Sequence, residues 1–299
     1  MKLSNKDLLA GLLVTMIWGC NFSIIELGLR ALDPFLLTLL RFTFCAVPAI
    51  LFIKKPAGIS CTVLLLYGTL FGSGLWWTVN FAMHKGLSAG MSSIFLQFSA
   101  FFTIIASALI FKEKISAIHF AGMAISLMGL LLMLGASEAS STLAGISLVL
   151  AAALAWAFCN LIVKRTKPLD MVAFIVWSSL FSLPSLLTLT LLVKGTEPFE
   201  SLPAKITWEA TFSIAFQSFV TTLFGYHVWN SLMKKYPAAL VAPLSLVVPI
   251  TGVLCSVAFF DETLDAQQQL ALALVLIGLS IFMLAPRLVG KICRHRCTS

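Results

Sequence analysis

Ten apolar stretches constrain this chain more than any other feature. They lie at about 8–27, 34–52, 61–82, 89–111, 117–134, 144–163, 171–192, 210–232, 238–260 and 267–285 of its 299 residues. About 20 apolar residues in a helix cross the hydrocarbon core of a bilayer, and only there can such a segment satisfy its own backbone. The sequence therefore predicts an all-α polytopic membrane protein of ten transmembrane helices, with no room for a separate soluble catalytic domain. Charged residues make up 11% of the chain, against about a quarter in a soluble domain. A surface so poor in charge has to face lipid. The first stretch follows Lys2 and Lys6 as a secretion signal would. It is longer than a signal core and no small-residue cleavage site follows it, so it is read as an uncleaved first helix.

A net charge of +8 in a soluble protein would suggest nucleic acid. Here its distribution suggests membrane orientation instead. With a cytoplasmic N-terminus, 15 of the 20 basic residues fall on the cytoplasmic side, among them Lys54, Lys55, Lys112, Lys114, Lys164 and Arg165. Arg30, Lys85, Lys194 and Lys205 fall on the other side, and Arg41 lies within a helix. The positive-inside rule then places both termini in the cytoplasm, and no nucleic-acid partner is expected. Seven cysteines form no disulfide framework, since Cys20, Cys45, Cys61, Cys159 and Cys255 sit in or at the ends of apolar helices, where a free thiol behaves as a small hydrophobe. Cys293 and Cys297 flank His295 in "KICRHRCTS". That spacing is read as part of a disordered basic tail over 286–299 rather than a zinc or acylation site. No metal site and no cofactor are expected.

The chain repeats itself. "FKEKI" at 111–115 matches "FDETL" at 260–264, and the same offset pairs Gly129-Leu130 with Gly278-Leu279 and Ala89 with Ala238. "WGCNF" at 18–22 resembles "WAFCN" at 156–160, and Pro48 and Pro184 lie at similar depths. The matches keep their order, which predicts two five-helix repeats over 8–135 and 144–285. Five is odd, so the second copy enters the membrane from the opposite side. Inverted-topology repeats are a recurrent device of secondary transporters. The acidic pair Asp261 and Glu262 is accordingly read as a helix-end marker, the outer twin of Lys112–Lys114. Small residues at Ser245, Pro249, Gly252 and Ser256, and at Gly68, Gly72 and Gly74, are read as packing seams.

Together "WGCNF", "RF" at 41–42, "LQFSAFFT", "FKEKI", "VWSSL", "GYHVWNSL", "APLSLVVP" and "FDETL" resemble the ten-helix EamA family of the drug/metabolite transporter superfamily. Within it the chain is most similar to bacterial exporters of cysteine, O-acetylserine and related amino-acid metabolites. The resemblance implies an inner-membrane exporter, with helices one to four and six to nine around a central cavity and helices five and ten bracing the outside.

A charge inside the bilayer costs about 2.5–3.5 kcal/mol on insertion scales, which makes each one a functional hypothesis. Arg41 lies about 10 Å into helix two at the helical rise, and its fork could grip a substrate carboxylate. The alternatives are a structural pair with Glu26 or snorkelling to headgroups. Glu26 could carry a coupling proton, and so could His227, although a solvated glutamate and a neutral hydrogen-bonded histidine are the blander readings. Asn21, Asn80, Gln97 and Gln217 fall with Arg41 in the outer halves of their helices. Trp76, Trp77 and Tyr226, with Trp18, Trp156, Trp177 and Trp229, could wall a cavity or sit at the interfaces. The expectation is a polar cavity opening outward with Arg41 near its floor. No H-E-x-x-H, P-loop or nucleophile elbow is present, so no enzyme is expected. The rival readings are a drug or other metabolite carrier and a non-transporting sensor or scaffold. The expected partners are a small-molecule substrate, the lipid bilayer and protons, with the protein acting as a monomer or homodimer.

Overall fold

The computed structural model describes residues 3–112, 117–136, 140–236, 241–261 and 264–296. Side-chain caps start most of its helices directly ahead of the apolar stretches. The Ser4 hydroxyl accepts from Asp7 N at the start of α1 (Asn5–Leu29), and Asp33 accepts from Phe35 N and Leu36 N ahead of α2 (Pro34–Ile50). Ser60 caps α3, which runs as Cys61–Thr69, Leu70–Trp77 and Thr78–His84. Ser88 caps α4, which runs as Ala89–Phe95, Leu96–Phe98 and Ser99–Phe111. Then come α5 (Ala117–Ala136), α6 (Ser140–Thr166) and α7 (Met171–Lys194), the last capped by Asp170. Thr207 caps α8, which runs as Trp208–Ala215, Phe216–Gly225 and Tyr226–Lys235. The last two are α9 (Ala242–Leu246 and Val247–Phe260) and α10 (Ala266–Arg296). Among the described residues, five helices are long and apolar enough to cross a membrane by length and composition, and four shorter apolar helices accompany them. With α8 they make the ten of an all-α polytopic membrane protein.

The two halves depart from regular helix at matching places. Leu70–Trp77 of α3 and Phe216–Gly225 of α8 are both π-helical. Leu96–Phe98 of α4 and Ala242–Leu246 of α9 are both 3₁₀. Lys112 and Asp261, one repeat apart, end α4 and α9 in the left-handed conformation, with φ of 56° and 52°. Of the two matching motifs, residues 113–115 and 262–263 lie outside the described residues. Helices α5 and α10 cross where Ser126 Oγ donates to Val275 O at 3.1 Å, across a separation of 149 residues. A Cβ on Gly122 would lie 2.7 Å from Gly278 O, and one on Gly129 would lie 2.6 Å from Ala271 O. Each of these pairs is the image of the other, so the pseudo-two-fold axis of the inverted repeats runs through this crossing.

Packing is crosswise between the halves. Helix α1 lies on α8 and α9, and α6 lies on α3 and α4. Close approach of backbones makes this possible: a Cβ on Gly19 would sit 2.5 Å from Val248 O. The side bearing Leu29, Pro34, His84 and Phe260 is called the Arg30 face, and the opposite one the Lys54 face. At the Arg30 face the first part of α4 packs on the last part of α9, with Ser93 against Gly252. Among the described residues, the inverted image of that interface is not seen at the Lys54 face. There Ser99–Phe111 packs on α6, while Ala242–Leu246 packs on α1 and α10. At the same face the Asp7 carboxylate accepts from Lys235 Nζ at 2.7 Å, and from Ser4 Oγ and Tyr236 OH, tying the start of α1 to the end of α8.

Helix α10 continues to Arg296, 31 residues in all, which corrects the expectation of a disordered tail from 286. Gly290 does not interrupt it, and no proline follows Pro286. Residue 297 lies outside the described residues. A short helix, Glu197–Lys205, connects α7 to α8 and caps the Arg30 face.

Candidate functional site

The site is built on three neighbouring helices. Arg41 of α2 is 1% exposed and extends between α3 and α8. Its guanidinium donates from Nη1 to Gln217 Oε1 at 3.3 Å and from Nη2 to Thr222 Oγ1 at 3.1 Å. It lies 4.0 Å from the Trp76 ring centroid, a desolvated cation–π contact of about 2 kcal/mol. Nε of Arg41 has no hydrogen-bond partner. Every partner of the guanidinium is neutral, and no carboxylate among the described residues pairs with it. The structural pairing with Glu26 that the sequence left open is therefore absent.

The π-helical stretch of α8 organises the partners. Gln217 O accepts from the hydroxyls of both Thr221 and Thr222 at 2.7 Å, and Thr221 O is left to accept from Trp18 Nε1 at 3.0 Å. Stretching the helical ring frees carbonyls that side chains must then satisfy. Gln217 Nε2 donates to Ser213 Oγ at 2.9 Å, and Ser213 donates on to Ile24 O of α1 at 2.6 Å. Ser218 donates to Arg41 O at 2.8 Å. One turn from Arg41 on α2, Thr38 accepts from Asn80 Nδ2 at 2.8 Å. The result is a hydrogen-bonded polar strip across α1, α2 and α8, with the Thr38–Asn80 pair tying α2 to α3 beside it. Thr38, Ser213, Ser218 and Thr222 were not singled out by sequence, although hydroxyls clustered in an apolar helix, as in "SFVTT", carry the signal.

The sequence candidates separate into groups. Arg41, Gln217 and Trp76 are in direct contact, while Asn80 bonds Thr38 one turn away on α2. Tyr226, half-buried, meets Trp18 at 5.2 Å and Phe71 at 5.8 Å between ring centroids. Asn21 is buried, with its Oδ1 lacking a partner. Gln97 is buried on the 3₁₀ stretch of α4. Trp77 points another way, stacking on Phe81 at 5.1 Å. His227 lies on an exposed face of α8. Glu26, half-buried, lines a depression of about 300 Å³ on the Arg30 face with Arg30, Ser88, Ser256 and Phe260. That depression does not reach Arg41. The outward cavity with Arg41 on its floor is thus replaced by an enclosed Arg41, because α4 and α9 close together on that side.

Inverted helical halves around a buried arginine whose described partners are all neutral fit a carrier, and the comparisons agree. Residues 5–135 and 143–284 both match the EamA-like transporter family. The chain belongs to that family. Among relatives of this EamA-like transporter, a protein of Salmonella typhimurium (strain LT2) described as a probable amino-acid metabolite efflux pump is 35% identical over 286 residues. The match covers 93% of this chain and 95% of the relative. A protein of Escherichia coli (strain K12) with the same description is 34% identical over the same shares. A solved crystal structure superposes with a TM-score of 0.62 at 19% identity, covering 94% of this chain and 98% of that one. That likeness supports the fold alone. The EamA-like helices α5 and α10 pack on each other along the pseudo-two-fold axis, as braces beside the crosswise bundle.

Proposed function

We propose that this transporter exports amino acids or their small metabolites, cysteine- or O-acetylserine-like compounds, across the bacterial inner membrane by alternating access. One observation carries the reading: Arg41 is buried against Gln217, Thr222 and Trp76, and no carboxylate among the described residues balances it. An uncompensated buried cation is costly, and a bidentate carboxylate is the ligand that its fork fits best. The two relatives described as probable amino-acid metabolite efflux pumps support the same substrate class. In this proposal both termini are cytoplasmic, so the Arg30 face is the outer one. The repeats 8–135 and 144–285 exchange roles between states, and a single chain suffices. Without a nucleotide-binding motif, drive comes from the substrate gradient or from protons. Glu26, in the outer depression, is the proposed proton carrier in preference to the exposed His227.

Proteoliposomes test this directly. O-acetyl-L-serine should exchange through the unmodified protein, while its decarboxylated amine should not. Arg41→Ala should lower exchange at least tenfold, and Arg41→Lys, which keeps the charge and loses the fork, should recover only part of it. Equal rates for the acid and the amine would overturn the reading.

A further inference from the structure

Helix α6 turns one stripe to lipid: Ser147, Ala151, Leu154 and Phe158 are exposed. The opposite stripe packs inward, with Ile146, Val149 and Ala153 at 1% exposure or less. Asn160 lies two helical turns beyond Ala153 on that inward stripe, yet it is exposed. An exposed polar side chain on the protein-facing side of a membrane helix looks into water, since lipid lies behind it. Its depth is about 9 Å from the end of α6 at Thr166, at 1.5 Å per residue.

Helix α1 tells the same story from the other half. Leu9, Leu13 and Met16 are exposed toward lipid, and Gly11 and Val14 are buried inward. Trp18 continues the inward stripe but is only half-buried, as are Tyr226 and Trp229, whose rings lie 5.2 and 5.4 Å from that of Trp18. These openings lie toward the Lys54 face, where among the described residues Ser99–Phe111 packs on α6 and Ala242–Leu246 on α1 and α10. Together these exposed and half-buried inward-facing groups mark an opening on the Lys54 side, with Asn160 at its rim and Trp18, Tyr226 and Trp229 deeper in.

At its mouth Asn160 Nδ2 donates one hydrogen to Thr103 Oγ1 at 3.1 Å. The second Nδ2 hydrogen and Oδ1 remain available, beside half-buried Trp156 one turn deeper on the same helix. A neutral group that offers a donor and an acceptor side by side matches a carboxylate and an ammonium presented together. We propose that Asn160, oriented by Thr103 and flanked by Trp156, is a docking subsite for zwitterionic amino acids at the open mouth on the Lys54 face. The ligand class rests on the export reading above, while the open mouth does not.

The test uses the full-length protein in oriented membrane vesicles, with Asn160→Cys and a membrane-impermeant maleimide, read by fragment-resolved mass spectrometry at residue 160 so that the native cysteines can stay. Labelling from the Lys54 face alone, slowed severalfold by O-acetyl-L-serine, is the expected result. No labelling, or equal labelling from both faces, would overturn the mouth. Labelling that O-acetyl-L-serine leaves unchanged, when the unmodified protein exchanges that compound, would overturn the subsite. If the unmodified protein exchanges no amino acid, the ligand class falls together with the export reading, and labelling alone still decides the mouth. A second variant, Asn160→Leu, should raise KM for O-acetyl-L-serine about tenfold and leave kcat within twofold. A merely structural asparagine would instead lower the yield of folded protein or kcat.

Discussion

At the scale of single residues, burial decides which polar groups matter. Gln217 is fully buried and supplies one of the two side-chain acceptors of Arg41. Gln217→Leu keeps the volume and removes that acceptor. A hydrogen bond to a charged group is worth about 1.5–3 kcal/mol, so the midpoint of thermal unfolding in detergent should fall clearly. Added substrate should restore part of the loss if a carboxylate takes the vacant position. Arg41 itself was legible in the sequence as a charge in an apolar run. Its partners were not, because Gln217 and Thr222 lie 176 and 181 residues away and only the folded packing of α2 on α8 brings them to it. Asn160 escaped notice for a related reason: an asparagine near a helix end looks ordinary until the helix face it occupies is known.

Among the elements, the ten helices and most of their starts could be read directly, because Ser4, Asp33, Ser60, Ser88, Asp170 and Thr207 each cap the helix that follows. The π-helical stretches could not. Their hydrogen bonds reach one residue further, which shifts the facing of everything downstream by about one helical position. A regular 3.6-residue count from the start of α8 therefore misplaces His227, which the structure turns outward. At the crossing of α5 on α10 there is no room for a side chain at position 278: a Cβ on Gly278 would lie 2.5 Å from Gly122 O. Gly278→Val should force these helices apart and cut the yield of folded protein. Val275→Ile, beside the crossing, should be tolerated far better, since it adds one methylene and leaves the backbone contact intact. Size-exclusion profiles of the two variants in detergent would check this.

For the molecule as a whole, the asymmetry that the described residues show between its two faces is what makes the arrangement a state rather than a symmetric average. Ser93 and Gly252 touch at the Arg30 face, so closely that a Cβ on Gly252 would collide with Ser93 Oγ. Ser93→Leu should wedge that interface open, shift the population toward the opposite state, and reduce maleimide labelling of the Asn160→Cys protein from the Lys54 face. Unchanged labelling would mean that the two faces are not coupled. The left-handed ends of α4 and α9 carry a further consequence. Lys112 and Asp261 hold nearly the same φ and ψ, a conformation that glycine adopts at less cost. A lysine at a helix C-terminus favours the macrodipole, while an aspartate opposes it. Asp261→Gly should therefore raise thermal stability by about 1 kcal/mol. Aspartate nevertheless visits the left-handed region more readily than most residues, so one backbone ending closes both halves although the two residues that adopt it carry opposite charge.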